Sequence, residues 1–249
     1  MEWQMICSEK NVDALEVYLS RYGIGSSPSQ RKLLLRHLDL VREKNQEVNL
    51  TRIVDERDMI IRHVVDSLLF LPSLDDLDLA EDATFVDIGT GAGFPGMPIG
   101  IMRPYRGVLI DSVRKKSNAV DEFICNLDLG LQLSTRAIRA EDLAREQASR
   151  FNLVLARAVA DLGILMEYAS PLLVREGYLV VSKARMTDEE FERGNQTAQM
   201  VGMKLVSRET YGLPDDAGYR EILSYQKTKH SDVKLPRATG HAKSKPLVR

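Results

Sequence analysis

The stretch FVDIGTGAGFPG, residues 85–96, runs from an apolar segment into a glycine-rich turn, with the acid Asp87 two positions ahead of Gly89. Counted from Gly91, the spacing Gly91, Gly93, Gly96 is a literal G-x-G-x-x-G, which between a strand and a helix cradles a dinucleotide pyrophosphate. A carboxylate at the end of the strand would repel that pyrophosphate, so the turn calls for a ligand that tolerates glycines and an acid together. Gly89, Gly91 and Gly93 let the backbone reverse and approach a ligand without Cβ clashes. Pro95 suits the first turn of a following helix, where no N–H is needed.

Outward from this turn, the periodicity of the chain changes near Thr84. The runs TFVDI, GVLIDS, LQLSTR, FNLVLAR and GYLVVSK are short and apolar, as expected of buried parallel strands, and helix-forming stretches such as 115–127 separate them. After Thr187 come a helix and the runs MKLVSRETYGL and YREILSYQK, whose connecting turn suits an antiparallel hairpin at one edge. Before Thr84, Val12, Leu15 and Leu19 recur at helical spacing, Pro28 opens a second helix, and a third runs from about Asp55 to near Pro72. The expected fold class is α/β: a Rossmann-like, doubly wound, mainly parallel sheet (81–228) with an N-terminal helical cap (1–80) and a basic C-terminal tail (229–249). Its ligand is expected at the carboxyl ends of the strands.

A chain of 249 residues with 44% apolar and 28% charged residues can bury a large core, and a formal net charge of -2 predicts neither a nucleic-acid nor a membrane partner. The distribution of charge says more. From Gln226 onward seven basic residues (Lys227, Lys229, Lys234, Arg237, Lys243, Lys245, Arg249) face the single acid Asp232. This tail reads either as a solvated end or as a segment that orders on phosphates; Pro236, Gly240 and Pro246 argue against a helix. Cys7 and Cys125 suggest neither a disulfide framework nor a metal site, and the four histidines are scattered. With no signal-like N-terminus and no apolar run of the ~20 residues a span requires, a cytoplasmic protein without membrane or metal is expected.

S-adenosylmethionine carries an ammonium and a sulfonium, so a carboxylate beside the turn attracts it. Asp111, 22 residues beyond Gly89, is placed to accept ribose hydroxyls, which suits that cofactor and a nicotinamide dinucleotide equally. Glu141 and Asp142 follow the third strand, within reach of an adenine amino group, although Asp142 reads first as a cap or a solvated residue. Three acids at strand ends favour the sulfonium cofactor, with the dinucleotide as the alternative. Arg157 ends the fourth strand and is expected to grip the cofactor carboxylate or a phosphate, or else to pair with Asp161. Lys183 ends the fifth strand and is a candidate RNA contact or a surface lysine. His63 and Asp66, three apart, could approach the cofactor pocket but read first as a pair fastening the helical cap to the sheet, and Asn49 and Thr51 as a turn and a helix cap.

The segments NLTRI (49–53), RHVVDSLLF (62–70), FVDIGTGAGFPGMPIGI, LIDSVRKK, RAEDL, ARAVADL and REGYLVVSKA closely resemble, in that order, the glucose-inhibited-division B family, the RsmG enzymes. Its members methylate a guanine N7 in the 530 loop of 16S ribosomal RNA. The resemblance spans about Asn45 to the tail, whose KLPRATGHAKSKPL matches the basic ending of longer members. It implies that Gly89 and Phe94 line the cofactor, that Ala140 and Glu141 contact its adenosine, and that Arg157 lies on the reaction side. Asn152 stands where many members have Asp; at the start of a strand, little functional effect is expected.

The chemistry agrees. Guanine N7 offers an in-plane lone pair, so its methylation needs no prior deprotonation and rests on alignment and electrostatics. The Asn/Asp-Pro-Pro-aromatic turn of exocyclic-amine enzymes is missing after the fourth strand, and no cysteine falls where a pyrimidine-C5 enzyme needs its nucleophile. The partner expected is 16S ribosomal RNA or the assembling small subunit. Its phosphates would meet Arg103, Arg106, Arg114, Lys115 and Lys116 near the carboxyl edge of the sheet, Lys183, and Lys234, Arg237, Lys243 and Lys245 of the tail. A non-catalytic RNA-binding module remains the other reading of the same residues.

Overall fold

A computed structural model describes residues 5–248. At its centre is a seven-stranded sheet in the order β3-β2-β1-β4-β5-β7-β6. The strands are β1 (Thr84–Ile88), β2 (Arg106–Asp111), β3 (Leu133–Ala137), β4 (Phe151–Arg157), β5 (Leu173–Lys183), β6 (Met203–Gly212) and β7 (Tyr219–Lys227). All seven coincide with the apolar runs of the sequence. Strands β1 to β5 pair in parallel, whereas β7 is antiparallel to both β5 and β6. The expected hairpin is therefore present, with β7 inserted inside the sheet and β6 at the edge. Strand order reverses between β1 and β4, and the crevice at their carboxyl ends is where such sheets bind ligands.

Helices cover both faces. On one lie α1 (Glu9–Ser20), α2 (Pro28–Lys44), α3 (Glu56–Met59), α4 (Asp66–Leu68), α5 (Phe70–Asp75), α6 (Gly96–Met102) and α7 (Arg114–Asn126). On the other lie α8 (Ala140–Glu146), α9 (Leu162–Ala169) and α10 (Asp188–Met200), together with a one-turn helix, α11 (His241–Ser244), in the tail. Alternating strand residues feed the two cores: Phe85, Leu153 and Leu155 face the N-terminal helices, while Val86, Val154 and Ala156 face α8 to α10. Since Leu15, Leu38 and Leu68 share one apolar cluster with Phe85 and Leu155, α1 to α5 form a layer of the fold continuous with the sheet's core.

Local chemistry accounts for the helix ends. Ser27 and Gln30 form a reciprocal capping box ahead of Pro28, and the Thr187 hydroxyl accepts from Glu190 N–H at 3.1 Å to open α10. Asp55, rather than Thr51, caps α3 through Asp58 N–H. Pro72 does not end the third helical stretch. A widened π-helical turn (Ile60–Val65) and a break at Leu69 restart the helix at Phe70, so the missing proline donor falls in the new first turn. Asn152 lies at the amino end of β4 and accepts from both the N–H and the hydroxyl of Thr84 at 2.9 Å, far from the crevice.

Gly107 opens space that the core depends on. It stands opposite Phe85 in the β1–β2 register, and a Cβ there would come within 2.2 Å of the fully buried Phe85 ring. Gly107→Ala should destabilise the protein by about 1–3 kcal/mol, lowering the urea midpoint at unchanged m-value, whereas Gly130→Ala, with open space around it, should change little.

Candidate active site

The loop after β1 turns on three glycines with positive φ: Gly89 (71°), Gly91 (61°) and Gly93 (93°). It is fastened to the end of β2, because Gly89 and Thr90 N–H donate to Ile110 O at 2.8 and 3.0 Å, and Gly91 N–H donates to the Asp111 carboxylate at 3.2 Å. The other Asp111 oxygen accepts from Val113 N–H at 2.8 Å, which fixes the carboxylate at the mouth of the crevice.

Two hollows meet across this loop. One, of about 240 Å³, is walled by Ile88, Ile110, Asp111, Ala140, Glu141 and Tyr168. The other, of about 740 Å³, lies between the sheet and the N-terminal helices and is lined by Phe94, Arg157, His63, Asp66, Ser182 and Lys183 among others. Gly89, Ala158 and Val159 border both. The contact is close, since a Cβ on Gly89 would stand 2.8 Å from the Val159 side chain. Gly89, Gly91, Phe94 and Arg157 are thus brought together at the large hollow, and Asp111, Ala140 and Glu141 at the small one. Gly93 lies on the far side of the loop, against Met97 and His37.

Asp87 is placed differently from the sequence expectation. It lines neither hollow, being fully buried beneath the loop, where Oδ2 accepts from Gly96 N–H at 2.9 Å and Oδ1 has no hydrogen-bond partner. The Thr90 hydroxyl is also buried and lies beside this carboxylate. Burial pushes the Asp87 carboxyl up to about 6, against the opposing influence of Thr90, Gly96 N–H and Arg157. Asp87 therefore braces the turn from behind and acts on the crevice through its field.

The large hollow is built on a stack and a clamp. The Phe94 ring lies parallel to His63 at 4.7 Å and tilted against His37 at 4.6 Å. His37 Nε2 donates to Ala92 O at 2.9 Å, and His63 Nε2 meets the Thr51 hydroxyl at 3.0 Å. Thr51 is thus the support of His63. Asp66 does not pair with His63. Its carboxylate, 3% exposed, takes Arg220 through Nε and Nη2 at 2.9–3.0 Å and Arg157 Nη1 at 3.1 Å. Arg157 also donates to Arg62 O at 2.9 Å, and its guanidinium lies 5.5 Å from the Phe94 ring centre. The alternative partner Asp161 instead faces Arg193. Sequence reasoning passed over Arg220, which carries no local motif and is brought in by β7.

Several expected RNA contacts are placed elsewhere. Arg103 forks onto Asp75, and Arg106 begins β2, so both lie at the amino edge of the sheet and not at the carboxyl edge. Lys183 turns inward to Ala160 O at 2.8 Å and Glu190 at 2.7 Å and forms cavity wall. Arg114 and Lys115 are exposed at the start of α7, beside Asp111. The tail is docked against the protein. Arg237 binds the buried Glu167 at 2.5–2.7 Å, Thr239 and Arg145 hold Asp142, and Gly240 N–H donates to Glu141 at 2.8 Å. A turn of helix does form there, contrary to expectation; Arg249 lies outside the described residues. Among the described residues no group of three His, Cys, Asp or Glu is arranged to hold a metal ion, and no helix is long and apolar enough to cross a membrane.

These titrations have opposed signs. Burial lowers His37 to about 4 and, with Arg157 and His37 nearby, lowers His63 to about 3, so both favour the fold above the ordinary histidine range and withdraw that support on acidification. Asp87, raised to about 6, contributes stability only below its own folded value. Near pH 5 the unfolded chain therefore binds about one more proton from these three groups, which contribute a loss of roughly 1.4 kcal/mol per pH unit on acidification. In Asp87→Asn the offset is removed, and urea titrations between pH 4.5 and 5.5 should give a slope steeper than the parent's by roughly 1 kcal/mol per pH unit.

Comparison with known proteins agrees with this geometry. Residues 30–216 match the family model GidB, described as rRNA small subunit methyltransferase G. A Ribosomal RNA small subunit methyltransferase G of Desulfitobacterium hafniense is 36% identical over 231 residues, covering 92% of this chain and 94% of its own, and one of Carboxydothermus hydrogenoformans is 32% identical over 236 residues, covering 94% and 98%. Solved structures share the fold at low identity. YcgJ from Bacillus subtilis superposes with a TM-score of 0.50 at 10% identity over 66% of this chain and 98% of its own. The complex of P. horikoshii TYW2 with MeSAdo gives 0.50 at 14% identity over 60% and 58%. With a matched model over most of its length and relatives above 30% identity across nearly all of it, the chain belongs to the GidB family, the small-subunit rRNA methyltransferases G.

Proposed function

We propose that this protein transfers a methyl group from S-adenosylmethionine to guanine N7 in the 530 loop of 16S ribosomal RNA, in the cytoplasm, acting on the RNA or on the assembling small subunit. The observation that carries this reading is the pair of hollows that share Gly89, Ala158 and Val159 as their common border: a nucleoside-sized recess with a fixed carboxylate opens directly beside a larger cavity that can admit a base. The donor set suits the cofactor. Asp111 offers a carboxylate to ribose hydroxyls, Ile88, Ile138, Val159 and Tyr168 supply apolar walls for adenine, and the orphaned oxygen of Asp87 adds a negative field behind the loop. When bound, the cofactor supplies an electrophilic methyl group.

The chain's own residues then provide position and charge balance. Because the acceptor is a neutral ring nitrogen, no residue need remove a proton, and none of the side chains in the large hollow is set up as a general base. His63 is neutral at physiological pH and engaged by Thr51. The reaction moves a positive charge from sulfur to the purine, so an additional free cation beside the base would oppose it. Arg157 shares the Asp66 carboxylate with Arg220 and donates to Arg62 O, so it is a tethered hydrogen-bonding plane over Phe94 and not a free cation. The N-terminal helices and the loop before them form the far wall of the cavity through Thr51, Arg62, His63 and Asp66. For the RNA backbone, exposed Arg114, Lys115, Lys234 and Lys245 remain the proposed phosphate contacts, with Lys116 half-buried beside them. Arg103, Arg106, Lys183 and Arg237 drop out because of where they lie or what they already bind.

Small subunits from a strain lacking the enzyme, incubated with the protein and labelled S-adenosylmethionine, should gain label at one guanine, revealed by the strand cleavage that N7-methylguanine undergoes after borohydride and aniline. Label at another atom or in another RNA would refute the assignment. Arg157→Met should lower kcat/KM on the order of 100-fold. Lys115→Ala should weaken RNA binding and reduce the slope of log affinity against log salt by about one unit, measured by filter binding across a salt series.

A further inference from the structure

The C-terminal segment is fixed at points on either side of Lys243. Arg237 is held by Glu167, itself 4% exposed, and Arg237 also donates to Lys245 O at 2.8 Å. Ala242 is 1% exposed within the core cluster of α8 to α10, with Leu235 and Leu247 packed against it. Between these anchors the Gly240 N–H donates to Glu141 Oε1. Lys243 consequently forms part of the wall of the small hollow together with Asp111, Arg139, Ala140 and Tyr168, and among the described residues it makes no ion pair. A segment that is only a solvated tail, or only a phosphate-seeking arm, has no reason to bury an alanine or to satisfy a buried carboxylate.

We propose that the tail completes the cofactor's nucleoside site: Lys243 is a direct contact to a ring-nitrogen acceptor of the adenine, and Glu141 is the shared residue that couples tail docking to cofactor binding. This rests on the cofactor assignment above. Glu141 gives one oxygen to Gly240 N–H and keeps the other for the nucleoside side, so each partner holds the carboxylate in the orientation the other requires. Such coupling is reciprocal: docking tightens cofactor binding, and bound cofactor holds the tail down by the same factor. Gly240 is well chosen for this, because its φ of +83° brings the N–H to Glu141 in a conformation closed to proline.

The test uses the full-length protein and S-adenosylhomocysteine as probe. Calorimetric titration of the parent, Lys243→Met and Gly240→Pro should show affinity lowered about 5- to 20-fold in each variant. Saturating S-adenosylhomocysteine should also slow tryptic cleavage after Arg237 and Lys243 in the parent and fail to do so in Gly240→Pro. Lys243 is exposed, so its substitution keeps the fold even if the Gly240 variant does not. Unchanged affinity in Lys243→Met, or tail cleavage indifferent to saturating S-adenosylhomocysteine in the parent, overturns the inference. Failure of the parent itself to bind the probe would instead overturn the cofactor assignment on which it stands.

Discussion

The carboxylate of Asp66, buried and shared between Arg157 and Arg220, is the interaction on which the working geometry depends. It joins α4 to β4 and β7 at once and so sets the height of the N-terminal layer above the sheet. Burying three charges is costly, and the ion pairs repay that cost only because the geometry is forked and the remaining donors find carbonyl oxygens, Arg157 at Arg62 O and Arg220 at Tyr219 O. Removing the carboxylate would leave two guanidinium groups side by side with no counter-charge between them. A clamp of this kind specifies one arrangement more than it adds stability, and that arrangement is what keeps the large hollow open.

Around the clamp, the charged groups are arranged to hold the local balance fixed. Two histidines are kept neutral by burial, two arginines are tethered to the one carboxylate of Asp66, and one acid is stored behind the glycine loop. In the proposed reaction a positive charge crosses from one ligand to the other, and a site whose own charges do not rearrange offers little resistance to that passage. The His37–Phe94–His63 cluster supports the same end, since the neutral rings, His63 stacked and His37 tilted on Phe94, do not titrate in the working range.

The architecture was legible in the sequence because its causes are local. Seven apolar runs, a helical period before Thr84 and the glycine loop are all written within windows of ten to twenty residues, and each strand falls where its run predicts. Asp111 at the end of β2 and Glu141 just after β3 reach the small hollow for the same reason, beside the ligand edge of the sheet, whereas Ala140 was carried by the family resemblance alone. Errors came where position depends on direction or distant partners. Asp87 faces beneath the loop because the alternation of β1 turns it that way, and Arg103 and Arg106 stand at the wrong end of β2 for the crevice. Charge alone could not tell that Arg237 would be spent on Glu167, nor that Arg220 would close on Asp66.

The insertion of β7 between β5 and β6 has a further consequence for how the molecule comes into being. Arg220 arrives from this late strand, 154 residues after the Asp66 it grips. During synthesis the N-terminal helices and the first five strands can collapse on one another long before that arginine leaves the ribosome. Closing so long a loop is among the slower steps of assembly. The wall of the large hollow is thus fastened only after β7 has joined the sheet, and the small hollow is closed later still, when the tail docks behind Glu141.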